Sequence, residues 1–240
     1  MSEPTPSDAL FLKRMAEARD TDRPVPLALQ KWQLAEHVTS CELYTSKGII
    51  VYLCQGPEKP RASLILAGGQ MGGIGGPAGI FHDIGYVLAQ VGIATVRFHP
   101  RKPGDVVACA IDMLLMARLE LENNVPGVVL GGHSFGSAIV VQAARALDVG
   151  ELDGLAFLAP QTAGTQGADE IVEVPSLFVH GASDGILPSD CSEDLASRIA
   201  GDPELHIIDG LGHLMVEKPA EVRDLVTNFV VRVTERPVLT

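Results

Sequence analysis

A serine set between glycines is the feature of this sequence best suited to do chemistry. The run Gly131-Gly132-His133-Ser134-Phe135-Gly136 follows the apolar segment Val128-Val129-Leu130 and precedes an amphipathic stretch. A Gly-x-Ser-x-Gly pattern between a strand and a helix is typical of a nucleophile held on a sharp turn. Glycines are needed there because side chains would collide, and the turn brings the hydroxyl to free N–H groups at a helix start. The pattern predicts a nucleophile at Ser134.

Glycine is frequent in this chain, with 25 residues, so the same pattern could arise by chance. Its position directly after an apolar strand-like segment is what favours the nucleophile over coincidence.

The elements that would position this serine alternate along the chain. Short apolar runs separated by amphipathic segments predict parallel strands covered by helices on both faces, which is a doubly wound, mostly parallel sheet. Ligand chemistry is then expected beyond the carboxyl ends of the strands. We predict a single domain over residues 31–240, after an arm at 1–30 that is partly disordered or carries one short helix around 10–18. Strands are predicted at 32–43, 48–54, 63–67, 93–98, 127–131, 155–158, 176–180 and 205–208, and helices at 81–91, 105–122, 137–147, 189–199 and 220–233.

The serine motif and this alternation together resemble the α/β-hydrolase family over residues 32–233. The glycine-rich run Gly68–Pro77, residues 97–105 and the segment Ala159-Pro160-Gln161-Thr162 are similar to a small, lidless branch near the dienelactone hydrolases. The resemblance implies an α/β-hydrolase fold without a cap domain, because the connection at 159–175 is too short to hold one. Dienelactone hydrolases carry a cysteine where this chain has Ser134, so their substrate is not implied.

The resemblance also implies a catalytic triad in the chain order nucleophile, acid, histidine. Asp184 follows the penultimate predicted strand and His213 follows the last. In this arrangement His213 would accept the proton of Ser134, and the Asp184 carboxylate would fix the imidazole tautomer and stabilise the imidazolium. Asp209, which precedes His213 by four residues, is the alternative acid. Asp190 is expected instead in the first turn of a helix, where a carboxylate is favourable for capping reasons alone.

Two backbone N–H groups are expected to stabilise the negative charge that acyl transfer places on the carbonyl oxygen. One is the N–H of Phe135, the residue after the nucleophile. The family pattern implies the N–H of Gln70 as the second, with Met71 as the alternative because the glycine-rich loop leaves the register open. That loop also matches a dinucleotide fingerprint as Gly73-x-Gly75-x-x-Ala78, but Pro77 lies inside the match and no acid follows the next strand.

Composition and charge exclude several classes of protein. The formal net charge of −12 argues against a nucleic-acid partner, because phosphates would be repelled. The sequence contains no apolar run of membrane-spanning length, and its acidic, polar N-terminus is unlike a secretory signal. The cysteines have no zinc-site spacing and predict free thiols: Cys41, Cys54, Cys109 and Cys191. We therefore expect a cytoplasmic protein without cofactor, metal or membrane contact, and the oligomeric state stays open.

These observations predict a serine esterase that cleaves a small carboxylic ester through an acyl-Ser134 intermediate, with thioesters and lactones as alternatives. A binding or receptor module on the same fold, with a slow or vestigial triad, is the alternative from another class. Met71, Arg97 and His99 are candidate substrate contacts. The last two lie where a strand ends and could bind a carboxylate or phosphate, although they could equally be solvated loop charges or core support.

Overall fold

The computed structural model describes residues 24–148 and 150–235. Within them nine strands form one sheet in the order β1-β2-β3-β5-β4-β6-β7-β8-β9. Their bounds are β1 Pro26–Ala35, β2 Val38–Thr45, β3 Gly48–Gln55, β4 Ala62–Ala67, β5 Ile93–His99, β6 Val128–His133, β7 Gly154–Leu158, β8 Ser176–Gly181 and β9 Glu204–Ile208.

Helices cover both faces of this sheet. In the described residues they are α1 Ile80–Ala89, α2 Val106–Glu122, α3 Phe135–Ala144, α4 Asp190–Arg198 and α5 Pro219–Val233, with short 3₁₀ turns at Pro77–Gly79 and Ala168–Glu170. One apolar core lies under α1 and α5, and the other under α2, α3 and α4. This confirms the predicted doubly wound sheet, and no separate cap domain is present among the described residues.

The direction of the strands determines where a site can form. Strands β5, β4, β6, β7, β8 and β9 run parallel, so their carboxyl ends lie at one edge of the sheet. Every residue of β4, β6 and β8 is buried. Such burial on both faces explains their continuous apolar sequence, since helices exclude water from each side of a parallel sheet.

The N-terminal prediction is wrong in two details. The single strand predicted over 32–43 is two antiparallel strands, β1 and β2, and His37 turns the chain between them with a φ of 59°. Strand β1 also begins at Pro26, so residues 26–30 belong to the sheet and not to an arm. Because β1 is an edge strand and mostly exposed, it needs no apolar face, and its sequence gives no alternating signal. The helix predicted around 10–18 lies outside the described residues.

None of the described helices is both long enough and apolar enough to cross a membrane.

Candidate active site

Ser134 occupies the tight turn between β6 and α3. Its φ of 56° and ψ of −116° are values that a serine rarely adopts. A side chain at Gly132 would overlap the carbonyl of Gly136, and one at Gly136 would overlap the carbonyl of Ala67. The Ser134 N–H also donates a 2.9 Å hydrogen bond to the Leu158 carbonyl on β7. The two glycines and this hydrogen bond therefore hold the strained turn that the sequence predicts.

Asp184 and His213 meet beyond the ends of β8 and β9. His213 Nδ1 lies 2.7 Å from Asp184 Oδ2, and the Asp184 side chain is fully buried. The other oxygen, Oδ1, accepts hydrogen bonds from the N–H groups of Ile186 at 2.8 Å and Leu187 at 2.9 Å. Because a carboxylate only accepts, Nδ1 of His213 carries the proton, and Nε2 is left to accept one.

The carboxylate of Asp184 is held in its ionised form. Burial alone would raise its pKa, but hydrogen bonds from the Leu187 N–H, from His213 and from the Ile186 N–H outweigh burial and lower it. The alternative acid, Asp209, is exposed. Asp190 is the first residue of α4, as the sequence predicts. The acid in contact with His213 is therefore Asp184.

A second histidine contacts the same carboxylate oxygen. His180, fully buried at the end of β8, places Nε2 at 3.2 Å from Asp184 Oδ2 and at 3.1 Å from the Leu187 carbonyl oxygen. Its Nδ1 lies 2.7 Å from Ser192 Oγ. Burial lowers its pKa, so the ring is neutral at pH 7. The sequence motifs do not single out His180; the signal available for this contact was its four-residue spacing to Asp184 across a tight turn.

His133, the residue before the nucleophile, contacts His213. Its Nε2 lies 2.9 Å from the His213 carbonyl oxygen, and the two ring centroids are 4.8 Å apart. Burial lowers the pKa of His133 to about 4, so its ring is neutral at pH 7. It therefore fixes the backbone of His213 and is not placed to transfer a proton.

Ser134 and His213 both open into one pocket of about 410 Å³. Most of its remaining wall is the glycine-rich loop after β4, and its lining residues are Gly68, Gly69, Gln70, Met71, Gly72, Gly73, Gly75, Gly76, Pro77, His133, Ser134, His213 and Leu214. The hydrogen bonds of the described residues do not include one between Ser134 Oγ and His213 Nε2. Such bonds are often long in unliganded sites and tighten when substrate binds.

The expected oxyanion donors lie around this pocket. Gln70 and Met71, the two candidates for the second donor, both line it. Phe135 is the first residue of α3, where a backbone N–H has no partner within the helix. His99 is hydrogen-bonded to the glycine-rich loop after β4, because its Nδ1 accepts a 3.1 Å hydrogen bond from the Gly73 N–H.

A sequence model of the alpha/beta hydrolase family matches residues 92–218, a stretch that contains Ser134, Asp184 and His213. The chain belongs to the alpha/beta hydrolase family. No curated protein matches it.

Solved structures of alpha/beta hydrolases agree with this assignment. An alpha-beta serine hydrolase homologue from Coxiella burnetii is 19% identical, with 80% of this chain and 96% of the other covered and a TM-score of 0.67. A lidless serine hydrolase from Xanthomonas campestris is 20% identical, with 84% and 97% covered and a TM-score of 0.69. A dienelactone hydrolase from Anabaena variabilis is 16% identical, with 85% and 98% covered and a TM-score of 0.70. At these identities the likeness shows the fold and not the substrate.

Arg97 and His99 do not line the pocket of this alpha/beta hydrolase. Arg97 is 3% exposed, and its Nη2 donates a 2.9 Å hydrogen bond to Gln55 Oε1 on β3. Its neighbours on β5, Val96 and Phe98, enter the core under α2 and α3, so Arg97 faces the opposite side of the sheet. The expectation that Arg97 contacts substrate is therefore wrong in this structure. His99 is in contact with the glycine loop, and Met71 is the candidate contact that does line the pocket.

The guanidinium of Arg101, in the loop after β5, is paired with a carboxylate. Arg101 Nη2 lies 2.5 Å from Asp112 Oδ1, and the Arg101 N–H donates to Asp112 Oδ2 at 2.8 Å. The Asp112 side chain is fully buried and that of Arg101 nearly so. A buried carboxylate and guanidinium that pair in this way tie the loop after β5 to α2, and the guanidinium is not available to a substrate.

A larger cavity of about 1000 Å³ lies away from Ser134, between the β1–β3 strands and the end of α2. Its lining includes two thiols, Cys41 and Cys54. Burial raises the pKa of both, and that of Cys54 to about 12, so neither is a thiolate nucleophile at neutral pH. Among residues 24–148 and 150–235, no three His, Cys, Asp or Glu side chains are grouped so as to hold a metal ion.

Proposed function

We propose that this alpha/beta hydrolase is a serine esterase that hydrolyses a small carboxylic ester through an acyl-Ser134 intermediate. One observation carries the proposal. The pocket that exposes Ser134 on its strained turn is also lined by His213, whose Nδ1 is hydrogen-bonded at 2.7 Å to the buried Asp184 carboxylate. A serine hydroxyl is a poor nucleophile until a base accepts its proton, and this arrangement supplies an oriented base.

Acylation would proceed through a tetrahedral intermediate. Ser134 Oγ attacks the ester carbonyl carbon while its proton passes to His213 Nε2, and Asp184 stabilises the resulting imidazolium. The carbonyl oxygen becomes an oxyanion that the N–H groups of Phe135 and Gln70 would stabilise. When the intermediate collapses, the C–O bond to the alcohol breaks and His213 returns the proton to the leaving alkoxide.

Deacylation repeats these steps with water. His213 Nε2 takes a proton from a water molecule as its oxygen attacks the acyl carbon, and the oxyanion again lies at the same N–H groups. Collapse breaks the bond to Ser134 Oγ, which recovers the proton from His213 and leaves the free enzyme and a carboxylic acid. The single pocket serves both half-reactions, because water takes the place that the alcohol has left.

An active-site probe tests the proposal. We expect one fluorophosphonate adduct by intact mass, absent in Ser134→Ala and formed at least about 100-fold more slowly in His213→Ala. Ser183→Ala is the matched control, because it removes a different hydroxyl close to Asp184 and should leave labelling unchanged. An unlabelled wild-type protein would contradict the esterase and would favour a binding module on this fold. Labelling that persists in Ser134→Ala would place the nucleophile elsewhere.

A further inference from the structure

The pocket around Ser134 carries no fixed charge. No lysine, arginine, aspartate or glutamate lines it in the part of the chain that the structure describes. Its only titratable side chains are the two histidines, and His133 is neutral at pH 7 because burial lowers its pKa to about 4. A carboxylate or phosphate on a substrate would therefore lose its water without gaining a cation, which is costly.

The surroundings of the pocket also disfavour an anion. Of the two arginines at the end of β5, Arg97 donates to Gln55 and Arg101 is paired with Asp112. Beside the pocket, the exposed carboxylate of Glu217 accepts a 3.0 Å hydrogen bond from the N–H of Gly212, the residue before His213. With a formal net charge of −12, the field of the whole chain repels an approaching anion as well.

Two apolar side chains in the pocket wall remain exposed. Met71, in the glycine-rich loop, is 84% exposed, and Leu214, next to His213, is 58% exposed. Both line the pocket together with Ser134. They therefore have apolar surface that a bound acyl group could remove from water.

From these observations we infer that the pocket selects esters with an uncharged, apolar acyl group, and that Met71 and Leu214 set this specificity. The inference rests on the proposed esterase function. The acyl chain extends from the carbonyl at Ser134 across the two apolar side chains. Each methylene that leaves water is expected to raise kcat/KM by up to about fourfold, until the chain passes beyond Met71 and Leu214.

A pair of esters of the same shape tests the charge preference. In 4-nitrophenyl 6-methylheptanoate the acyl chain ends in an isopropyl group, and in the 4-nitrophenyl monoester of adipic acid a carboxylate replaces it. We expect kcat/KM to be at least about tenfold higher for the neutral ester. Equal values, or a preference for the adipate, would overturn the inference. Lys102→Ala is the control for an exposed cation at the loop after β5, and it should leave the ratio unchanged.

Variants of the two side chains test the specificity residues. In the wild type, kcat/KM should rise from the acetate to the hexanoate ester. In Met71→Ser and Leu214→Ser we expect this rise to be at least about threefold smaller, because apolar contact is lost. Val216→Ser is the matched control, since Val216 is exposed on the same loop as Leu214 but does not line the pocket. An unchanged rise in both variants would overturn their role. Absence of a fluorophosphonate adduct would instead refute the esterase itself.

A different observation carries a second inference, which also rests on the proposed function. His180 Nε2 lies 3.2 Å from the same Asp184 oxygen that His213 contacts. Both the carboxylate and the Leu187 carbonyl, at 3.1 Å from Nε2, can only accept, so Nε2 carries the proton. Nδ1 must then accept from the hydroxyl of Ser192, 2.7 Å away. The tautomer of His180 is thus fixed from both sides.

We propose that His180 is a positioning residue for Asp184. Its N–H holds Oδ2 in place from one side, while the Ile186 and Leu187 N–H groups hold Oδ1. Rotation of the carboxylate would break the two hydrogen bonds to Oδ1 and the one between Oδ2 and His213, so Oδ2 stays directed at His213. Loss of the His180 donor leaves the carboxylate less well oriented, and misplacement of a catalytic group by about 1 Å can cost about 100-fold in rate.

His180→Leu and His180→Gln separate this role from packing. Leucine removes the donor, and glutamine keeps an N–H close to the position of Nε2. We expect kcat to fall by about 10- to 100-fold in His180→Leu with KM little changed, and glutamine to restore most of it. The proton resonance of His213 Nδ1–H should shift in the leucine variant and return with glutamine. Full activity in a folded His180→Leu, or no recovery with glutamine, would overturn the proposal.

Ser192→Ala provides a second variant in case His180→Leu does not fold. It keeps the imidazole but removes one of the groups that fix its tautomer, and we expect a smaller loss of kcat with the same shift of the His213 resonance. An unchanged resonance and unchanged kcat would count against the role of His180. Fluorophosphonate labelling of Ser134 in the wild type, measured beside these variants, keeps this result separate from a failure of the esterase proposal.

Discussion

Replacement of Ser134 by alanine is expected to lower kcat for 4-nitrophenyl butyrate by about 10⁶-fold, to the small residual rate that binding and the oxyanion donors can supply. The physical reason is that no acyl intermediate can form without the hydroxyl. His213→Ala should cost about as much, because the hydroxyl stays protonated when the base is removed. Initial rates measured at saturating ester give both values.

The double variant gives the sharper result. If Ser134 and His213 act as one unit, the double variant should be no slower than either single variant, since each single change already removes the whole mechanism. Additive losses would mean that the two residues act independently and would contradict the proposed mechanism. Circular dichroism checks that the variants are folded. Alanine and serine meet the same backbone strain at the φ of 56° of residue 134, so Ser134→Ala should not relieve the strain of this turn.

The part of this site that the sequence predicts is the part that backbone sterics dictate. Ser134 requires glycines at 132 and 136 because side chains at those positions would overlap neighbouring carbonyls. That requirement is local, so it can be recognised without a structure. The resemblance to the α/β-hydrolases implies Asp184 and His213 after consecutive strands, and the parallel sheet brings the carboxyl ends of those strands to one edge.

The parts that the sequence does not predict depend on side-chain direction and on contacts across the fold. Arg97 lies near the carboxyl end of β5, as predicted, but it faces Gln55 because strand residues alternate between the two faces of the sheet. The contact between His180 and Asp184 depends on a turn that reverses the chain after β8, and periodicity carries no information on it. The division between β1 and β2 occurs at His37, where neither glycine nor proline marks the turn.

Replacement of Asp184 by asparagine is expected to lower kcat by about 10⁴-fold, because it leaves His213 in the wrong tautomer. The hydrogen bonds of Asp184 explain why. Its Oδ1 accepts from the N–H groups of Ile186 and Leu187, so the asparagine oxygen must take that side. The amide NH₂ then faces His213 Nδ1 and forces the proton onto Nε2, which can no longer accept from Ser134.

The same substitution changes how stability depends on pH. Because the pKa of Asp184 is lower in the folded protein than in the unfolded chain, its carboxylate contributes stability above about pH 4, the unfolded value. This contribution is lost as the pH falls from about 4 through the lower folded-state pKa. Urea unfolding at pH 7 should therefore show Asp184→Asn less stable than the wild type, and the difference should shrink in acid.

Asp209→Asn is the control that makes the assignment of the acid decisive. Asp209 is the alternative acid that the sequence offers next to the His213 loop, but it is exposed, and the base contacts Asp184 instead. We expect kcat in Asp209→Asn to stay within about twofold of the wild type, as for other surface substitutions. If Asp209→Asn lost activity while Asp184→Asn kept it, Asp184 would be no more than a support for the loop. A loss confined to Asp184→Asn follows only if this buried carboxylate fixes the proton on Nδ1 of the base.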